Sequence, residues 1–116
     1  MKTKLMLSLL VVGLTGCATV QIPADRLQSS EASIRGAEEM GASSVPNARL
    51  HVQLAKDQTA EAKKLAADGD ARALLVLARA EADAELALGL AREVTVHAEA
   101  LRATEDLNAL LARPAP

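Results

Sequence analysis

Two histidines, one cysteine and two short acidic stretches are the residues of this 116-residue chain whose types and spacing would serve metal, acid–base or thiol chemistry. A metal or proton-transfer site needs several such groups to converge, and along one helix that means a spacing of three or four residues. His51 has Asn47 and Ala55 one turn away and His97 has Glu93 and Leu101, so no two imidazoles share a turn and one His–Glu pairing stands alone. Both read as surface or boundary histidines. Glu81, Asp83 and Glu85 crowd one stretch, but an oxygen cage for a cation also needs a flexible loop with several ligands, so they read as a solvated helix face. Asp68-Gly69-Asp70 lacks the later ligands and closing Glu of a calcium loop and reads as helix capping. Nothing pairs a nucleophile with a base, so the expectation is a protein that is not an enzyme, with no catalytic residue, metal or cofactor.

Cys17 has a different context. Lys2 and Lys4 give a positive start, residues 5–14 are largely apolar, and Leu14-Thr15-Gly16 brings small residues up to the cysteine. That order is a secretory signal with its cleavage site, and the apolar run is shorter than the roughly 17 to 25 residues that span a bilayer. Residues 1–16 are therefore expected to leave as a signal peptide. Read alone, a single Cys is an ordinary thiol. Leu14, Thr15, Gly16 and Cys17 together resemble the lipobox of bacterial lipoproteins, which implies a diacylglyceryl thioether and an acylated amine, palmitate-type chains, on Cys17. Each buried methylene adds about 0.8 kcal/mol and one chain alone holds only reversibly, so two or more anchor stably. The only thiol is then consumed, leaving none for a disulfide, a metal or a nucleophile. Ala18, where enteric lipoproteins retained at the inner membrane carry Asp, implies the periplasmic face of the outer membrane.

The elements behind these residues are set by composition. Loss of Lys2 and Lys4 takes the formal charge from −2 to −4, which argues against nucleic acid and anionic lipid as partners. Phe, Trp and Tyr are all absent, which removes the rings that stack on bases and sugars, and no small-molecule substrate is expected. The apolar half of the chain is mainly Ala and Leu with some Val, the composition of helices packed through small side chains.

The spacing predicts an all-α fold, an antiparallel hairpin or three-helix bundle with a long C-terminal helix. Residues 17–22 form a short tether, 23–112 the helical domain and 113–116 a Pro-rich tail. Pro23 suits the first position of a helix over 23–40 that carries Leu27, Ile34 and Ala37 at helical spacing. After a loop over 41–47, in which Asn47 is placed to cap, a second helix carries Ala48, Val52, Ala55, Thr59, Ala62 and Ala66 at alternating intervals of four and three. Gly69 suits a left-handed helix terminus and Asp70 an N-cap, so a tight turn leads into a third helix over 71–112. Ala73, Leu77, Ala80, Ala84, Ala87, Ala91, Val94, Ala98 and Leu101 continue the four–three alternation as a heptad seam. Leu74, Leu75, Val76, Leu77 and Ala78 are apolar on every side, as a helix covered on more than one face would be. Beyond Arg92 a stripe of Val94, Ala98, Leu101, Leu107 and Leu111 outruns the shorter helices, which leaves it for a homo-dimer or an envelope-protein partner.

The lipobox, the Ala-rich helices and the run Lys64-Leu65-Ala66-Ala67-Asp68-Gly69-Asp70-Ala71-Arg72-Ala73 resemble the short alanine-rich lipoproteins of domain-of-unknown-function family 4398. In that family a helix ends in a short Asp-containing turn and an Ala-rich helix follows, and the likeness covers nearly the whole mature chain. The resemblance implies an uncharacterised periplasmic lipoprotein of the cell envelope, held on the membrane by the lipid on Cys17, and it assigns no functional residues. A structural or adaptor role is the expected function, with a pilotin-like or assembly factor that binds one client through the late part of the third helix as the alternative.

Overall fold

A computed structural model describes residues 20–114, and these are all-helical, with no strand. Leu14, Thr15, Gly16 and Cys17 lie outside the described residues. Three α-helices follow in order, α1 (Ala24–Glu39), α2 (Pro46–Ala67) and α3 (Arg72–Leu111), with one 3₁₀ turn, Ala42–Ser44, between the first two. Pro23 precedes α1 instead of opening it, its backbone extended at ψ 129°. Asn47 does not cap α2, because Pro46 takes the first helical position and Val45, extended, stands where the cap would be. A proline there loses nothing, since the first N–H groups of a helix have no partner within it.

The turn between α2 and α3 follows the expected chemistry. Gly69 is left-handed at φ 73°, the Asp70 N–H donates to Leu65 O at 2.8 Å and the Gly69 N–H to Ala66 O at 3.0 Å. This pair of bonds is the Schellman arrangement, in which two last-turn carbonyls gain donors only if the residue between can take positive φ. Asp70 is not the N-cap expected of it, since Ala71 takes that position without a side-chain cap bond, but its Oδ1 accepts the Arg72 N–H at 2.9 Å and both its carboxylate oxygens accept from the Arg72 guanidinium.

Reversal at Gly69 brings α2 and α3 together antiparallel. The facing stripes are Ala48, Val52, Ala55, Thr59 and Ala62 on α2 and Ala73, Leu77, Ala80, Ala84, Ala87 and Ala91 on α3, all buried. Ala66, last in the expected α2 stripe, is half-buried because the helices end there. Alanine at nearly every contact lets the backbones approach closely, since each residue presents one methyl group to its neighbour. α1 lies against both through Ser30, Ile34 and Ala37, antiparallel to α2 and parallel to α3. Small polar groups between α1 and α2 are satisfied locally. Thr59 Oγ1 donates to Ala55 O at 2.7 Å, so Ser30 Oγ donates to Thr59 Oγ1 at 3.4 Å.

One expectation fails in this region. Leu74, Leu75 and Ala78 are exposed, Leu75 at 57%, and only Leu77 of that apolar run is fully covered. The cause is the offset of α1. Its first turn meets α3 through Arg26 and Glu81, nine residues or about 14 Å beyond Arg72, so the hairpin near its turn has two helices and not three.

Two measurements check this packing. Ala84→Leu forces three more carbons into the α2–α3 contact and should cost about 1–3 kcal/mol in urea unfolding, whereas Ala109→Leu on exposed α3 should be near neutral. The Asp70 carboxyl is held below its ordinary 3.8 by the side-chain and backbone N–H bonds from Arg72, and Glu31 below its ordinary 4.5 by the bond from Lys63. A folded-state value below the unfolded one gives stability that is whole above the unfolded value and fades as pH falls through the folded one. Acid titration of stability from about pH 5 downward should therefore be shallower in Asp70→Asn and in Glu31→Gln than in the native chain.

Candidate functional site

The groups with chemical potential fall in two places. Midway along the hairpin, His51 Nδ1 lies 2.7 Å from Asp83 Oδ1, and Gln58 Nε2 donates to Asp83 Oδ2 at 2.8 Å. His51 is therefore not isolated: it is half-buried, and its partner comes from α3, 32 residues away in sequence. The acidic stretch is likewise more than a solvated face. Asp83 points between α2 and α3, Glu81 takes both arms of Arg26 from α1, and Glu85 alone of the three is exposed. Glu81's hydrogen bonds and charge hold the Arg26 guanidinium above its ordinary value. Lys56–Glu38 and Lys63–Glu31, at 2.5 and 2.7 Å, tie α2 to α1 along the outer edge. These pairs fix how the three helices register. Among the described residues no three His, Cys, Asp or Glu side chains converge as a metal site would need.

The second place is the free half of α3. Since α2 begins at Pro46 and Ala48 lies opposite the Ala91 end of the seam, about twenty residues of α3, roughly 30 Å, run beyond the hairpin. Val94 is 51% exposed and Leu101 53%, while Ala98 is half-buried. These three continue the line on which α2 sits. With Val45 and Leu90 they line a notch of about 420 Å³ at the open end of the hairpin, rimmed by Asn47, Glu93 and His97. His97 thus sits at the edge of an apolar recess with a carboxylate one turn away.

Leu107 and Leu111 are exposed but do not belong to the same stripe. The step from Leu101 to Leu107 is six residues, which rotates the side chain about 120° around the helix, and Leu111 follows Leu107 to that side. Two apolar lines on α3 replace the single one expected from the sequence.

No helix among the described residues is long and apolar enough to cross a membrane. No family model matches the chain, and neither a curated protein nor a solved structure is similar to it.

Asp83 is the shared acceptor of the hairpin's central polar contacts, and Gln58 Oε1 beside it is buried without a donor among the described residues. Asp83→Ala should then cost about 1–3 kcal/mol in chemical denaturation, and Asp83→Asn, which keeps one acceptor oxygen, distinctly less.

Proposed function

We propose that the chain is a periplasm-facing lipoprotein, anchored through Cys17 and related to the alanine-rich lipoproteins it resembles, with a non-enzymatic structural or adaptor role in the cell envelope. The reading is supported by the order of positive start, apolar run and Leu14-Thr15-Gly16-Cys17, and by a helical unit whose polar groups hold helices together. The observation that carries the adaptor role is the length difference between α2 and α3, which leaves an apolar helix surface of about 30 Å without a neighbour among the described residues. An adaptor needs an element that reaches beyond its own core, and α3 is such an element.

The notch favours a second reading, an accessory factor that takes one client of an envelope machine. A client helix set end to end with α2 would bury Val94, Ala98 and Leu101 on the seam that α2 already uses, with Val45 closing one end. Its apolar face would be met by groups that hydrogen-bond at the rim, Asn47, Glu93 and His97.

Labelled palmitate should enter the native chain grown in a Gram-negative host, and Cys17→Ser should abolish both labelling and sedimentation with membranes. Persistence of membrane association in that variant would end the lipoprotein reading. Val94→Glu with Leu101→Glu should eliminate recovery of an envelope client in a pull-down while helical circular dichroism stays unchanged, and undiminished recovery would dispose of the notch as the client site.

A further inference from the structure

The second apolar line of α3 is longer than the first and lies opposite the core. Leu86, Gly89, Glu93, Val96, Ala100, Ala103, Leu107 and Leu110 alternate by three and four residues and, apart from Glu93 at the rim of the notch, face away from α2. All are exposed, Val96 at 62% and Leu110 at 59%. Such a line is a coiled-coil seam with only Glu93 polar. Gly89 is its most informative member. Glycine is the costliest ordinary residue in a helix interior, yet a Cβ built here would meet nothing within 4 Å, whereas one at Gly36 would touch Leu88. Nothing among the described residues explains Gly89, and a close external neighbour would.

The geometry points to a second copy of this chain, packed antiparallel along the outer face of α3. In a parallel pair each residue would meet itself, with Glu93 against Glu93 and empty space between two copies of Gly89. Antiparallel packing about an axis at residue 98 sets Leu107 of the second copy over Gly89, Leu110 over Leu86, Ala103 over Glu93 and Ala100 against Val96, so that large residues meet small ones in three of the four layer types. Charge selects the same register. Arg92 flanks Asp106 of the second copy, and Glu85 flanks Arg113, each twice by symmetry. Glu99 and His97 meet their own copies at the axis. A shift by one heptad in one direction sets Arg92 against Arg113 and Glu99 against Asp106, and in the other the repulsion of Glu85 and Asp106 offsets the attraction of Arg92 and Glu99. The pairing leaves Val94, Ala98 and Leu101 uncovered on the opposite side, and it shares with the notch only the rim residues Glu93 and His97.

The test uses the full chain carrying Cys17→Ser in non-ionic detergent, followed by sedimentation equilibrium. A reversible dimer is expected. Arg92→Asp and Asp106→Arg should each weaken it by about tenfold or more, and the two together should restore it. Within one chain these residues are fourteen positions apart, roughly 21 Å, so rescue cannot come from an internal pair. Gly89→Leu should raise the helical stability of the monomer and weaken the dimer. In the same background a short bismaleimide should join two chains through His97→Cys and not through Leu111→Cys. A monomer at every concentration, failure of the double charge exchange to restore association, or equal crosslinking at both cysteines would overturn the proposal.

Discussion

Close approach of α2 and α3 through alanine is the contact on which everything else in this protein rests. An alanine seam gains little per residue from burial, because each position removes one methyl group from water. What it gains is distance: with no bulky side chain between them, the two backbones and all the atoms along them come into contact. The largest side chain that is fully buried is Leu77, and the remaining larger core residues are Ile34 and Val52. A core so thin leaves register underdetermined by shape, since one alanine fits another's place. Register is supplied by groups that do discriminate: Arg26 with Glu81, His51 and Gln58 with Asp83, and the two lysine–glutamate pairs at the edge. Exposed pairs of this kind add little stability, and their value here is in choosing one alignment from several near-equal ones.

The same seam explains which parts of the fold were legible in the amino-acid sequence. The four–three spacing of small residues over α2 and α3 is local, and it picks out the buried face of both helices from Ala48 to Ala62 and from Ala73 to Ala91. Gly69 and Asp70 mark the reversal because the turn they form is itself local. Reading failed where the answer depended on a distant partner. Nothing around Leu74 and Leu75 says that α1 begins too far along α3 to cover them, and nothing around His51 names Asp83, since α1 and the α2–α3 alignment decide both. Asn47 was outcompeted by its neighbour, as a proline at the first helical position moves the boundary one residue upstream. Lipidation is of another kind. As proposed, it would depend on an enzyme's recognition of the residues before Cys17 and not on how the helices pack.

In the candidate site, the apolar residues of late α3 were visible as composition but were grouped wrongly. Periodicity holds through Leu101 and then resumes on another face, and a six-residue step is easily read as continuation when Ala103 is the one apolar residue on the way. The division into two lines matters because each has a different counterpart on the molecule. The line of Val94, Ala98 and Leu101 begins where α2 stops and shares the notch with Val45, so its geometry is inherited from the hairpin. The line from Leu86 to Leu110 is exposed at every member among the described residues.

A free helix of twenty residues is marginal in water, and the final half of α3 is helical for a reason that lies outside it. Nucleation is the costly step, and the packed half of α3 has already made it, so each further residue needs only to hold its own against the coil. Ala, Leu, Glu and Arg, which make up most of residues 98–112, are among the residues that do so best, and Arg102 has Glu99, Glu105 and Asp106 within a turn. Extension from a packed body thus costs little and is limited by sequence alone, which is how a core this small carries a helix about twice as long as the one it packs against. The apolar residues along that extension do nothing for its helicity that alanine would not do as well. Its leucines and valines are surplus to helix formation and stay exposed among the described residues, which is what sets this segment apart from the packed half of α3.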